Sequence, residues 1–285
     1  MLRLFHILAI LHYVYAVWYD LNYVHIPILS QSTGLNIPMK GRLKFLTFWD
    51  VKCGSKMLHL IFHLISASVF LGTFWYDQMY LDIPFLQWEH DKFMKGRLKF
   101  LTLWNMLLQG FFFTICLLND VIGTNEASPK RKPFIRKFKD VLLASLAFPL
   151  SMFVGLTFWG LYFVDRELIF PRALDPYFPT WLNHVMHTNI MLFILLEMYT
   201  SFREYPARKK GVGILVLFMA VYLVWIHIIN SYTGMWVYPI LDVLNLPLRI
   251  IFFVALLGFI VVLYILGEKL NALIWRRQLK VLKLS

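Results

Sequence analysis

The segment IIFFVALLGFIVVLYILG, residues 250–267, decides the fold class of this chain. It contains no charged residue and no proline, and a run of about 18 or more apolar residues is typical of a helix that crosses a membrane. Apolar stretches of similar length recur along the chain. We therefore predict an all-α, polytopic transmembrane helix bundle with spans at about 2–22, 57–77, 98–119, 141–164, 178–199, 211–231 and 247–267.

The composition excludes the main soluble classes. Hydrophobic residues make up 59% of the 285 residues and charged residues 15%, whereas soluble globular domains have roughly 45–50% and about 25%. Disordered chains and disulfide scaffolds need more polar residues, or more than the two cysteines present. The lipid bilayer is the expected partner. The net charge of +12 lies mainly in short loops and the tail, so we expect no nucleic acid.

The basic residues predict an orientation. Lys and Arg cluster in 130–139, in 203–210 and in the tail from 269 onward, and short loops rich in these residues face the cytoplasm. The loop 232–246 contains neither, which places it on the opposite side. We therefore expect a multi-pass protein of the endoplasmic reticulum or plasma membrane with a cytoplasmic C-terminus. One loop fits this topology poorly, since it would carry three basic residues outside: Lys92, Lys95 and Arg97.

Part of the chain is repeated. The segment MKGRLKFLTFWD at 39–50 recurs as MKGRLKFLTLWN at 94–105, and the spans before the two segments also match. Only the second copy continues into a complete apolar helix. We divide the chain into a duplicated N-terminal unit, residues 1–56, and a six-span domain, residues 57–285.

A polar stripe runs along the third predicted span. At about 100° per residue, its side chains fall within about 60° of one another: Thr102, Asn105, Gln109, Cys116 and Asp120. Such a stripe should face the bundle interior, because polar groups that face lipid have no partners. Two interpretations remain open, namely hydrogen bonds between helices and a functional site.

The fifth predicted span begins with a histidine-containing segment, WLNHVMH at 181–187. The same helical arithmetic groups Asn183, His187 and Glu197 in one sector, whereas His184 points elsewhere. A histidine within a membrane can exchange a proton near neutral pH, although a hydrogen-bonded structural role is the alternative. We expect no metal site, because the two histidines lack a further ligand at suitable spacing.

Depth along the spans groups four residues in one leaflet. Thr102 and His187 lie near the outer ends of their spans, as do His227 and Arg249. The last two are candidates for orienting the histidine or binding substrate. Interfacial anchoring and extension of the arginine toward the headgroups are the alternatives.

Six ordered motifs occur in the part of the chain from about residue 57 to residue 285: KFLT at 99–102, LAFP at 146–149, DRELIFP at 165–171, WLNHVMH at 181–187, GMWVYP at 234–239 and LGEKLN at 266–271. With these motifs the chain closely resembles the androgen-induced gene 1 family. The resemblance implies a six-span membrane hydrolase of fatty acid esters of hydroxy fatty acids with both ends cytosolic.

The resemblance also implies site residues. The family's catalytic threonine falls on Thr102 and its histidine on His187. We expect His187 to take the Thr102 proton, Thr102 to attack the ester of a lipid substrate, and no cofactor to be needed. The group that orients the imidazole is either Asn183 or Glu197, and the sequence leaves both open. The extra unit 1–56 departs from the family pattern.

The competing hypothesis is a non-catalytic membrane protein, either a lipid transporter or a signalling scaffold. Transporters often contain internal repeats. The repeat in this chain covers only one span and its flank, so it cannot supply two symmetric halves.

The Lys and Arg distribution yields a topological prediction. In intact cells, a tag at residue 285 and an epitope in 130–139 should be protected from antibody and protease, whereas an epitope in 232–246 should be accessible from outside or from the lumen. With the extra span, residue 1 should lie on the side opposite the tail. A cytosolic residue 1 would show that one of the first three predicted spans does not cross.

Overall fold

A computed structural model describes residues 51–83, 93–126, 129 and 131–284. These residues contain helices and no strand, which confirms the all-α class. Residues Lys52–Ser285 form one compact unit. The predicted span 2–22 and the first copy of the repeat, including Thr47, lie outside the described residues.

The helices are numbered here in chain order within the described part. They are α1 Val51–Tyr80, α2 Leu101–Ile122, α3 Phe134–Leu142 with Phe148–Asp165, α4 Thr180–His184 with Ile190–Thr200, α5 Arg208–Thr233, α6 Pro239–Val243, α7 Leu246–Ile274 and α8 Arg276–Leu284. A wider π-helical turn joins the two parts of α3, at Leu143–Ala147, and of α4, at Val185–Asn189. A 3₁₀ segment, Phe93–Lys99, precedes α2. The predicted boundary at residue 56 therefore lies within α1.

Five helices are long and apolar enough to cross a membrane: α1, α2, α3, α5 and α7. They confirm a multi-pass bundle. Helix α4 matches the predicted span at 178–199, but its first half is polar because it contains Asn183, His184, His187 and Asn189. Its crossing of the membrane stays a prediction.

Helix α3 lies at the centre of the bundle. In the apolar segment of α3, 72% of the residues are buried, compared with 22% in the apolar segments of α5 and α7. It packs against α2, α4 and α7. The outer faces of α5 and α7 expose large apolar side chains such as Leu217, Ile251 and Val254. These faces are suited to contact with lipid, since an exposed apolar surface of this kind is unfavourable in water.

A glycine sets the distance between α3 and α4. A Cβ atom on Gly155 would lie 2.6 Å from the carbonyl oxygen of His187 and 2.5 Å from the sulfur of Met191. Small residues allow helix backbones to approach closely within membranes. The glycine therefore brings α3 directly against the turn of α4 that contains His187.

One of the three basic residues in the loop that fits the predicted topology poorly, Arg97, has a structural role. Arg97 is 5% exposed, and its guanidinium forms a 2.5 Å ion pair with Asp77 near the end of α1. Its Nη1 also donates to the Asp77 carbonyl at 2.7 Å. Arg97 is therefore a structural charge that joins α1 to the segment before α2, and not a free charge on a loop surface.

The close approach at Gly155 gives a prediction about stability. Gly155→Ala should lower the melting temperature in detergent, because the added methyl group would force α3 and α4 apart, at a cost of about 1–3 kcal/mol. Gly160→Ala is the matched control in the same helix, since a Cβ there meets nothing within 4 Å. Equal melting temperatures for the two variants would contradict the close packing.

Candidate functional site

Aromatic side chains fix the start of α2. The backbone N–H of Leu101 donates to the hydroxyls of Tyr222 at 2.9 Å and Tyr238 at 3.0 Å. The indole N–H of Trp225 donates to the carbonyl of Leu98 at 3.0 Å. The first backbone groups of a helix have no partner within it, so these side chains satisfy groups that would otherwise be orphaned. Thr102, in the first turn, is thereby held in place.

The structure brings Thr102 and His187 together. The Thr102 hydroxyl oxygen lies 3.3 Å from Nε2 of His187. Nδ1 of His187 lies 3.0 Å from the carbonyl oxygen of Asn183 and 2.7 Å from its side-chain oxygen. A carbonyl oxygen can only accept, so Nδ1 carries the proton and Nε2 directs its lone pair at Thr102. This arrangement allows the imidazole to accept the hydroxyl proton.

The imidazole is packed as well as hydrogen-bonded. The ring of His187 stacks on Phe158 of α3, with centroids 3.6 Å apart and planes inclined by 11°. Its residue exposure is 5%. His184 is exposed instead, and its Nδ1 lies 3.2 Å from the hydroxyl of Thr188. The predicted difference in direction between the two histidines is therefore present in the structure.

Two cavities meet at Thr102. The large cavity, of about 260 Å³, lies between α3, α5 and α7, and its lining includes Val154, Val216 and Phe253. The small cavity, of about 100 Å³, is lined by Leu174, Phe178 and the Asp77–Arg97 ion pair, among others. Thr102 and Tyr238 line both cavities, whereas His187 lines the small cavity and not the large one.

The phenol of Tyr238 remains neutral beside these cavities. Burial raises the pKa of Tyr238 above its ordinary value, because the phenolate is poorly solvated there. The hydroxyl lies 2.9 Å from that of Tyr222. It is therefore a neutral hydrogen-bonding group that holds the start of α2.

Thr157 is a polar cavity residue that sequence reasoning missed. Its buried hydroxyl lines the large cavity and has no hydrogen-bond partner among the described residues. Helical threonines commonly donate back to the carbonyl four residues earlier, as Thr114 and Thr200 do at 2.8 and 2.9 Å. A sequence cannot distinguish those residues from Thr157. Its free hydroxyl can donate to a ligand.

The polar stripe of α2 faces the bundle interior, as predicted. Asn105 and Gln109 are fully buried, and Nε2 of Gln109 donates to the side-chain oxygen of Asn105 and to the carbonyl of Ala147, both at 3.0 Å. The predicted hydrogen bonding between helices is therefore present in the stripe, and its interpretation as a functional site stays a prediction. Gln109 joins α2 to the π-helical turn of α3, whereas Thr102 contacts His187.

The structure does not bring Glu197 to His187. Helical arithmetic placed both in one sector, but they are ten positions apart in the chain, which is about 15 Å along a helix axis. Glu197 bonds instead to His63 of α1, with its carboxylate 2.8 Å from Nε2, and to the guanidinium of Arg203 at 3.2 Å. Asn183 and Glu197 were the two residues predicted to orient the imidazole of His187, and only Asn183 contacts it.

His63 is the centre of this second polar cluster. Its Nδ1 lies 2.5 Å from a carboxylate oxygen of Asp120, near the end of α2. Ligand atoms of His63, Cys116 and Glu197 lie within 4.8 Å of one another, which is the reach of a metal site. Arg203 and the ammonium of Lys139, which is 3.9 Å from Glu197, supply positive charge there. Because these cations already balance the carboxylate and would repel a metal ion, we interpret the cluster as a buried ion-pair network.

His227 and Arg249 lie together but contact neither Thr102 nor His187. The Arg249 guanidinium lies over the ring of Trp236, 4.3 Å from its centroid, and donates to the carbonyls of Leu241 and Leu244. The ring of His227 lies 5.2 Å from that of Trp236. The structure therefore gives neither residue a contact for orienting His187, and a substrate-binding role stays a prediction.

Comparison with known proteins gives a consistent family assignment. The chain is 42% identical over 190 residues to the human androgen-induced gene 1 protein, covering 64% of this chain and 79% of that protein. It is 39% identical over 217 residues to the androgen-dependent TFPI-regulating protein of Mesocricetus auratus, covering 75% of this chain and 94% of that protein. No solved structure matches the chain. The model of the FAR-17a/AIG1-like proteins matches residues 58–272, and the chain therefore belongs to that family.

Proposed function

We propose that this protein is an integral-membrane hydrolase that cleaves the ester bond of fatty acid esters of hydroxy fatty acids. Thr102 is the nucleophile and His187 the general base. The observation that carries the proposal is the 3.3 Å contact between the Thr102 hydroxyl and Nε2 of His187, with Nδ1 held by Asn183. A base that is itself oriented by a third group is the general arrangement of an activated nucleophile.

The reaction begins with proton transfer. Nε2 of His187 accepts the Thr102 proton as the hydroxyl oxygen attacks the ester carbonyl carbon. The resulting imidazolium is stabilised by the hydrogen bonds of Nδ1–H to Asn183. A contact of 3.3 Å is slightly longer than an ideal hydrogen bond, and such contacts commonly shorten when substrate binds.

The tetrahedral intermediate carries a negative charge on the former carbonyl oxygen. The unpartnered Thr157 hydroxyl lines the large cavity together with Thr102, so it is suited to donate a hydrogen bond to that oxygen. Thr102 also lies in the first turn of α2, where the helix dipole favours negative charge. Both features stabilise the charge that develops during attack.

The surroundings favour a lipid substrate. Described residues of α5 and α7 that face lipid also border the large cavity, so an apolar chain can reach Thr102 without crossing water. The resemblance of the six motifs adds the specific ester class.

The nucleophile can be tested against its own repeat. Thr102→Ala should reduce ester hydrolysis by about three orders of magnitude or more, the usual loss when a nucleophile is removed. Labelling by a hydrolase-directed phosphonate probe should disappear with it. Thr47→Ala is the matched control, because Thr47 occurs in the same KFLT tetrapeptide, and that variant should retain both properties. Loss of activity in Thr47→Ala with retention in Thr102→Ala would assign the nucleophile to the other copy.

The assignment of His187 as the general base can be tested against His184, which belongs to the same WLNHVMH motif. His187→Ala should abolish turnover and probe labelling together, because an unactivated threonine hydroxyl reacts with neither reagent. His184→Ala should retain measurable turnover, since His184 is exposed and contacts Thr188. Turnover near the wild-type level in a folded His187→Ala protein would exclude the threonine–histidine mechanism.

A further inference from the structure

The two cavities at Thr102 differ in which reactive groups they contain. Thr102 borders both, but His187 borders only the small cavity. The described lining of the large cavity contains no charged side chain, whereas that of the small cavity includes the Asp77–Arg97 ion pair. The reacting bond of an ester held at Thr102 therefore has two chemically different sides.

The path of the proton decides how an ester must lie there. When the Thr102 oxygen bonds to the carbonyl carbon, the displaced electron pair moves onto the carbonyl oxygen. When that pair returns, the bond between the carbonyl carbon and the alcohol oxygen breaks. The alcohol oxygen then takes the proton that His187 removed from Thr102. The proton carrier must reach the leaving oxygen, so the alcohol half has to lie on the side of His187.

We propose that the alcohol half of the ester occupies the small cavity and the acyl chain occupies the large cavity, an inference that rests on the proposed function. Val154 lines the cavity of the acyl chain and Leu174 lines that of the alcohol, so a larger side chain at either position reduces the space for that half of the ester. The acyl chain stays in the large cavity while it is bound to Thr102.

The second half of the reaction follows from the same orientation. After the alcohol leaves the small cavity, water takes its place beside His187. Nε2 accepts a proton from that water as its oxygen attacks the acyl carbonyl, and the proton returns to the departing Thr102 oxygen. The fatty acid is thus released with no net change in the protein.

The chemistry of the cavities agrees with this assignment. An acyl chain beyond its carbonyl is a hydrocarbon, and the described lining of the large cavity consists mainly of aliphatic and aromatic side chains. An alcohol half that carries a further polar group is better tolerated near the Asp77–Arg97 ion pair than within the large cavity.

The test uses the full chain and two series of esters. One series varies the acyl chain from short to long with a single alcohol, and the other varies the alcohol from small to bulky with a single acyl chain. Val154→Phe should lower kcat/KM for long acyl chains about tenfold relative to short ones, without changing the alcohol preference. Leu174→Phe should lower kcat/KM for bulky alcohols by a similar factor, without changing the acyl preference.

Leu217→Phe is the matched control. Leu217 lies on α5, is 66% exposed and lines neither cavity, so both preferences should stay at the wild-type ratio. If a phenylalanine variant fails to fold, Val154→Ala and Leu174→Ala enlarge the same cavities. They should then improve the relative rates for longer acyl chains and bulkier alcohols, respectively.

The outcomes separate this inference from the function on which it rests. Exchanged effects, with Val154→Phe changing the alcohol preference and Leu174→Phe the acyl preference, would overturn the orientation but leave the hydrolase intact. If both phenylalanine variants stay active with unchanged acyl and alcohol preferences, the orientation is likewise overturned and the hydrolase function stands. A wild-type protein that is inactive on every ester and unlabelled at Thr102 would overturn the proposed function and the orientation together.

Discussion

The hydroxyl of Tyr222 makes the interaction on which the position of Thr102 depends. It donates to the carbonyl of Lys99 and accepts from the N–H of Leu101, both at 2.9 Å. Within a membrane, backbone groups that helix geometry leaves unpaired must find partners inside the protein. One side chain of α5 therefore satisfies two groups at the start of α2. This bonding fixes where α2 begins, and with it the side chain that the first turn presents to α4.

Several features could be predicted from the sequence because they depend on local pattern. Apolar run length identified the helices, and helical spacing placed Gln109 on the interior face and separated His187 from His184. Helical spacing gives a direction around an axis but not a position along it, which is why Glu197 shared a sector with His187 while lying in another cluster. The π-helical turn at Val185–Asn189 has no counterpart in that arithmetic.

Other features depend on partners that are distant in sequence. The hydroxyls of Tyr222 and Tyr238 reach Leu101 across more than a hundred residues. The pairing of Arg97 with Asp77, which gives a buried partner to a basic residue of the loop that fits the predicted topology poorly, also joins two separate elements. The free hydroxyl of Thr157 is visible only once its neighbours are known. The KFLT tetrapeptide occurs twice in the chain, and its four residues alone do not specify which helices pack around it.

Helix α4 is held at two levels along its length. At its C-terminal end, Glu197 bonds His63 and Arg203, so rotation of that half would separate buried opposite charges. Removal of one partner from a buried ion pair is strongly unfavourable, although the complete pair need not add stability. The π-helical turn then shifts the rotational phase of the preceding half relative to a regular α-helix. Glu197 holds the half of α4 that follows this turn, whereas His187 lies within the turn itself and is packed by the ring of Phe158. Two separate contacts therefore hold α4, one at the turn that contains His187 and one near its C-terminal end.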